Sequence, residues 1–184
     1  MFKVKVILGS TRKNRLGIQV AEWVMNNCSA YNDLDVELLD LRDYPLPFFE
    51  EDTSPAYIKE PYKNKDVAKW TSKIAEAAGF IIVGPEYNHG YSAVLKNSLD
   101  YVYNEWADKP VAFVSYGSVG GARMVEQLRL VVVELHMIPL RDAVHIVAPW
   151  GLKDADGKLD LSGFDKTAGT MLDKLSWYLN KLSK

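Results

Sequence analysis

Residues suited to binding a phosphate are concentrated in the segment GSTRKNRLG at residues 9–17. The segment leads into a stretch with helical spacing, and the free N–H groups and dipole of a helix start attract an anion. Ser10 supplies a hydroxyl, while Arg12 and Arg15 supply planar guanidinium groups that hold phosphate oxygens in pairs. The segment matches neither GxGxxG nor GxxxxGK(S/T), so it indicates neither a dinucleotide fingerprint nor a P-loop. The alternative is a solvated basic loop in which Ser10 or Asn14 caps the helix.

Two later segments also combine glycines with polar and aromatic residues. Residues 84–92 read GPEYNHGYS, in which Pro85 restricts the backbone and the glycines permit conformations needed beside a ligand. Such a loop can present backbone amides to the edge of a flat heterocycle while Tyr87 covers part of its face. Residues 115–121 read SYGSVGG, whose three glycines let the main chain approach a ligand closely. Taken singly, each segment is also compatible with an ordinary turn.

Alternating strand and helix signals place the three segments at one edge of a sheet. Apolar runs predict strands at residues 3–8, 34–41, 80–83, 111–115 and 143–147. Periodic apolar residues predict helices at residues 16–28, 67–78, 92–103, 122–137 and 164–182. Pro139 is expected to end the fourth helix. This repetition predicts an α/β fold, a three-layer α/β/α sandwich around a parallel sheet, which binds ligands beyond the carboxyl ends of its strands.

Composition argues against several classes of function. The chain has 184 residues, the length of one ordinary domain, and a formal net charge of -2, without the basic surface that nucleic-acid binding requires. No run approaches the roughly 20 apolar residues of a membrane span and no signal peptide is recognisable, so a cytoplasmic protein is expected. Cys28, the one cysteine, is expected to be a buried, reduced thiol. The three histidines lack metal-ligand spacing, so no metal site is predicted.

With all three segments in view, the sequence resembles the NAD(P)H-dependent FMN reductases, flavodoxin-like proteins that include quinone, azo-dye and chromate reductases. The resemblance covers nearly the whole chain. It rests on GPEYN at 84–88 with KNSLD at 96–100, on GSTRKNR at 9–15, and on SYGSVGG at 115–121. It implies a single flavodoxin-like FMN-binding domain over residues 1–184, with a five-stranded parallel sheet of order 2-1-3-4-5. Arginines in the first segment distinguish it from the hydroxyl-rich phosphate loop of true flavodoxins.

The resemblance also implies the cofactors and the residues that bind them. FMN would be held non-covalently, with NADPH or NADH as hydride donor. The electron acceptor would be a small molecule: a quinone, a flavin, an azo compound or an oxidised metal ion. No side chain is expected to act as a catalytic acid, base or nucleophile, because the cofactor supplies the chemistry. The residues expected to bind the cofactor are Ser10, Arg12, Asn14, Arg15, Pro85, Glu86, Tyr87, Asn88, Ser115, Tyr116, Gly117, Gly120 and Gly121.

Several interpretations stay open at this point. The protein is either such an enzyme, a non-enzymatic FMN electron carrier of the flavodoxin type, or a flavin-free interaction module. A homodimer or homotetramer is implied, with weak support from the apolar residues 101–103. The irregular segment 42–61 is either a loop over the site or a subunit contact. Lys96, Asn97 and Asp100 are expected to anchor a loop or a subunit contact. Trp106 and Trp150 either cover the site or fill the core.

Overall fold

The computed structural model describes residues 1–59 and 61–183. Glu60, within the irregular segment 42–61, and Lys184, at the end of the domain expected over 1–184, lie outside the described residues. The described strands are β1 (Phe2–Leu8), β2 (Leu34–Asp40), β3 (Gly79–Pro85), β4 (Pro110–Gly117) and β5 (Ile138–Val147). The α-helices that alternate with them are α1 (Gly17–Cys28), α2 (Lys65–Ala75), α3 (Ala93–Asp100), α4 (Ala122–Glu134) and α5 (Asp165–Leu182).

The strands form one parallel sheet of order β2-β1-β3-β4-β5, which confirms the flavodoxin-like architecture implied by the sequence. Helices α1 and α5 pack on one face, and α2, α3 and α4 on the other. Every residue of the central strand β3 is buried, as expected for a strand covered on both faces. Leu8 pairs with Val83, and Val83 with Val114, so the three strands end side by side. The loops that follow them therefore meet at one edge of the sheet.

The boundary between α4 and β5 differs from the sequence prediction. Helix α4 ends at Glu134, short of its predicted end, and β5 begins at Ile138, ahead of its predicted start. His136 has a φ of 58°, a left-handed conformation that an α-helix does not accommodate. Pro139, expected to end the helix, instead lies within β5 opposite Val111. Because β5 is an edge strand, it tolerates a proline that lacks an N–H group.

Several side chains with open roles belong to the core. Trp106 is fully buried, with its ring centroid 4.7 Å from that of Phe80, so it fills the core. Tyr101 and Val102 are buried in the same cluster, so the expectation that they support a subunit contact is wrong. Burial raises the pKa of the Cys28 thiol to about 12, which agrees with a structural role. Over residues 1–59 and 61–183, none of the helices combines the length and apolar character that crossing a membrane requires.

Candidate functional site

The β1–α1 loop ends in a helix start that no described side chain caps. Helix α1 has 12 residues, Leu16 occupies its N-cap position, and its first turn contains no acidic residue. Neither Ser10 nor Asn14 caps the helix, so the expectation that one of them does is wrong. The first N–H groups of α1 remain available to an external acceptor at the positive end of the helix dipole. This donor set fits a phosphate group.

Gly17, the first residue of α1, lets two hydroxyl groups lie against the helix start. A Cβ at this position would stand 2.5 Å from Tyr116 Oη and 2.7 Å from Ser10 Oγ. The two hydroxyl oxygens are 3.4 Å apart, and both residues are buried. Burial raises the pKa of Tyr116 to about 12, with the Ser10 hydrogen bond acting in the opposite direction. The phenol is therefore neutral at physiological pH and keeps its proton as a hydrogen-bond donor.

Two arginines bind the carbonyl oxygens of the β1–α1 loop. Arg15 donates to the Ser10 carbonyl and to the carboxylate of Asp40, at 2.8 Å for the bond from Nη1 to Oδ1. Arg42 donates to the Thr11 carbonyl at 3.2 Å and also to the Arg12 carbonyl. Since the C=O and N–H of one peptide point in opposite directions, the N–H groups of residues 11–13 are turned away from these arginines. The arrangement leaves those N–H groups available to a ligand.

The two arginines predicted to bind phosphate have different surroundings. Arg12 is exposed, and its guanidinium lies 5.7 Å from the centroid of the Tyr87 ring. The Arg15 side chain is only 5% exposed and forms an ion pair with Asp40. Arg12 is therefore the more accessible of the two guanidinium groups, while Arg15 holds the loop. Asp40 was not predicted from the sequence. Its one signal is its position at the carboxyl end of β2, opposite Leu8 in the sheet register.

The β3–α3 loop contains a tight turn. Tyr87 and Gly90 exchange backbone hydrogen bonds of 2.8 and 3.0 Å. Between them, Asn88 and His89 have φ values of 50° and 69°, as the central residues of a type I′ turn do. The turn gives Tyr87 a defined position beside Arg12.

Helix α4 holds this turn in place through polar contacts. The Glu86 side chain is 4% exposed, and its carboxylate accepts hydrogen bonds from the backbone N–H of Arg123, at 3.2 Å, and from the Arg123 guanidinium. Arg123 Nη1 also lies 2.9 Å from His89 Nε2, and the Gln127 side chain donates to the His89 carbonyl at 2.9 Å. The carboxylate of Glu86 thus fastens the loop to α4. Arg123 and Gln127 were not predicted from the sequence, because they lie outside the glycine-rich segments.

The β4–α4 turn depends on its glycines. Gly120 and Gly121 have φ values of 73° and 75°, and a Cβ on Gly121 would stand 2.6 Å from the Cβ of Ser115. The buried Ser115 hydroxyl donates to the Gly120 carbonyl at 2.7 Å. These three residues shape the turn from within, whereas Tyr116 and Gly117 line the adjoining cavity.

A cavity of about 280 Å³, the cleft, opens between these loops. The residues that line it are Arg12, Asn14, Arg15, Leu16, Pro85, Glu86, Tyr87, Tyr116, Gly117, Pro149 and Trp150. The remaining predicted site residues, outside this lining, are Ser10, Asn88, Ser115, Gly120 and Gly121. Leu16 and Pro149 were not predicted from the sequence, and Trp150 was predicted either to cover the site or to fill the core. The aromatic walls of the cleft and the N–H donors at the start of α1 suit a flat ring with an anionic tail. Among the residues that the structure describes, no group of three or more His, Cys, Asp and Glu side chains is placed to hold a metal ion.

Comparison with known families agrees with this geometry. The family model described as NADPH-dependent FMN reductase matches residues 2–150. The chain belongs to the NADPH-dependent FMN reductase family. All three loops of the cleft lie within the matched range, so the family match covers the residues that build it.

Individual relatives of this FMN reductase family member are found in several organisms. A Schizosaccharomyces pombe protein named NAD(P)H-dependent FMN reductase is 42% identical over 127 residues, which are 69% of this chain and 64% of the relative. The match therefore spans slightly less than two thirds of that relative's length. An NAD(P)H:quinone oxidoreductase of Solanum tuberosum is 33% identical over 145 residues, 75% of this chain and 72% of the relative. The structure of a flavoenzyme NAD(P)H:acceptor oxidoreductase from Paracoccus denitrificans shares the fold, with a TM-score of 0.77 at 22% identity over 98% of each chain.

Proposed function

We propose that this chain is an FMN-dependent oxidoreductase that uses NADPH or NADH to reduce a small-molecule acceptor such as a quinone. For a quinone, one NAD(P)H and one proton are consumed, and NAD(P)⁺ and the hydroquinone are released. The observation that supports this most is the cleft itself, which joins an uncapped helix start and Arg12 to aromatic walls. The relatives are named for reductase activities, which favours an enzyme over a flavodoxin-type electron carrier or a flavin-free module.

The residues of the cleft have distinct tasks in this proposal. FMN, when bound, supplies a ring that accepts a hydride and passes the electrons on. Arg12 and the first N–H groups of α1 bind its phosphate. Residues 85–87 and 116–117 line the ring, and the neutral Tyr116 hydroxyl lies beside the helix start, 3.4 Å from the Ser10 hydroxyl. Trp150, exposed at the edge of the cleft, shields the ring from water.

The phosphate role of Arg12 can be tested by substitution. We expect Arg12→Ala to weaken FMN binding by about 10- to 100-fold, since a hydrogen bond to a charged group contributes about 1.5–3 kcal/mol. Lys13→Ala is the matched control, because Lys13 is an exposed cation in the same loop but does not line the cleft. The measurement is FMN titration of flavin-free protein by fluorescence quenching. Equal effects of the two substitutions would show that only the general charge of the loop matters.

The enzymatic role is tested with FMN-loaded protein under anaerobic conditions. We expect NADPH or NADH to be consumed in a one-to-one ratio with an added quinone. A loaded protein that oxidises neither nucleotide in the presence of any acceptor would contradict the proposal.

A homodimer or homotetramer, implied by the resemblance, is a further part of the proposal. Because Tyr101 and Val102 are buried within the chain, this proposal no longer rests on those residues. Sedimentation equilibrium of the FMN-loaded protein gives its mass in solution. We expect two or four times the mass of the 20.8 kDa chain, and a monomer would refute this part of the proposal.

A further inference from the structure

A second cavity adjoins the cleft on the side of α3, and the proposed function gives it no role. It has a volume of about 390 Å³ and shares Arg12 and Tyr87 with the cleft. Its apolar surface comes from Leu46, Phe48 and Val94 as well as from Tyr87. A ligand in this cavity would therefore lie directly beside a flavin bound in the cleft.

The loop that carries Phe48 is held firmly by its backbone. The Asn97 amide donates to the Pro47 carbonyl at 2.7 Å and accepts from the Phe49 N–H at 2.9 Å. The Tyr101 hydroxyl donates to the Phe48 carbonyl at 3.2 Å. Asn97 thus anchors a loop, as expected for this residue, and the loop lies within the irregular segment 42–61.

The Phe48 side chain contrasts with this well-held backbone, because it is 81% exposed. A single exposed apolar residue is ordinary on a protein surface. Here, however, the exposed ring borders a cavity that also contains Leu46, Val94 and the Tyr87 ring. An aromatic residue on a fixed backbone offers a flat apolar face at little cost in conformational entropy.

The polar groups of the cavity define what its ligand must carry. The Ser92 hydroxyl already donates to the Gly9 carbonyl, and the Asn97 amide is used by the loop. The Arg12 guanidinium and the Thr11 hydroxyl are the exposed polar groups among the lining residues, and no carboxylate belongs to that lining. The cavity therefore combines flat apolar surfaces with donors, which suits a planar ring whose oxygens accept hydrogen bonds.

We propose that this second cavity is the recognition subsite for an aromatic quinone acceptor, with Phe48 as its specificity-determining residue. The ring or an apolar substituent of the quinone packs on Phe48, and a carbonyl oxygen accepts from the Thr11 hydroxyl, since Arg12 is engaged by the FMN phosphate. This inference rests on the proposed function, since it identifies the acceptor class for the same site. A small inorganic acceptor gains nothing from the subsite.

The test compares two acceptors and three variants of the FMN-loaded protein. The acceptors are 2-methyl-1,4-naphthoquinone and ferricyanide, and the variants are Phe48→Ala, Phe48→Leu and Tyr57→Ala. Tyr57 is the matched control, because it is an exposed aromatic residue of the same segment that does not line the cavity. We expect Phe48→Ala to raise KM for the quinone by about tenfold, while KM for NADPH and the ferricyanide rate stay unchanged. Phe48→Leu should fall between wild type and alanine, and Tyr57→Ala should match wild type.

Equilibrium binding separates this inference from the proposed function. The quinone is titrated into oxidised, FMN-loaded protein without NADPH, and Phe48→Ala should weaken its binding by a similar factor. Such weakening supports the subsite even if the wild-type protein turns over no acceptor, in which case the proposed function alone fails. Equal effects of Phe48→Ala and Tyr57→Ala would overturn the inference. So would a rise in KM for NADPH alone, which would assign the cavity to the dinucleotide, or a loss of oligomeric mass in Phe48→Ala, which would assign Phe48 to a subunit contact.

Discussion

The ion pair between Arg15 and Asp40 provides a stringent test of how the phosphate loop is organised. The Asp40 carboxylate accepts from both terminal nitrogens of Arg15 and from the backbone N–H of Arg42 at 2.9 Å. The side chain of Arg15 is 5% exposed and that of Asp40 17% exposed, so Asp40→Ala leaves a guanidinium charge buried without its carboxylate. Losing one partner of a buried pair costs about 3–5 kcal/mol, and the partial exposure of Asp40 places the expected loss at the lower end, about 3 kcal/mol.

The loss is measured by urea unfolding of flavin-free protein, because bound FMN would add its own stabilisation. With a slope of about 2 kcal/mol per molar, the midpoint should fall by about 1.5 M urea. Asp35→Ala is the control, since Asp35 is an exposed carboxylate on the same strand. FMN binding should also weaken in Asp40→Ala, because Arg15 no longer holds the Ser10 carbonyl firmly. Equal midpoints for the two variants, or tighter FMN binding once Arg15 is released, would refute the reasoning and return Arg15 to a direct phosphate role.

Three further predictions address packing, pH and thiol reactivity. Gly17→Ala should destabilise the protein by about 1–3 kcal/mol, because its Cβ would stand 2.5 Å from Tyr116 Oη. Gly169→Ala is the control and should not destabilise it, because a Cβ there would have nothing within 4 Å. Thermal unfolding compares the two variants. Burial raises the pKa of Glu37, but hydrogen bonds from Lys5 and Lys73 outweigh it and hold the pKa below its ordinary 4.5. The ionised carboxylate of Glu37 therefore stabilises the fold above pH 4.5, and this contribution is lost as pH falls through the lowered pKa of the folded protein. Glu37→Gln should therefore lose less stability on acidification than wild type. Urea midpoints of the two proteins that fall in parallel with pH would contradict this. Cys28, buried and with its pKa raised to about 12, should react with a thiol reagent only after unfolding, and rapid labelling of the native protein would contradict its burial.

Local patterns were sufficient to predict the strands and the three loops. The apolar run of β3 and the glycines after β4 can be recognised from adjacent positions in the sequence. Because the strands are parallel, the loops that follow them lie at one edge of the sheet. The boundary of β5 was predicted less well, because Pro139 was interpreted as a helix terminator. Its place in an edge strand depends on the order of the whole sheet.

Contacts between distant residues were beyond local patterns. Arg15 was predicted to bind phosphate from its residue type, whereas Asp40 sets its position from another strand. Glu86 was grouped with the flavin-lining residues, yet its carboxylate is held by Arg123 of α4. Phe48 gave no signal at all, because its relation to the cleft depends on hydrogen bonds from Asn97 on α3.

The most direct test of the central claim is a visible absorbance spectrum of the protein after FMN has been added and unbound flavin removed, repeated after anaerobic addition of NADPH. The proposed function predicts that a flavin band stays with the protein and is bleached by the nucleotide. A protein that retains no flavin would show that the cleft does not bind FMN. A band that persists with both NADPH and NADH would leave the cofactor in place but contradict the proposed reductase activity.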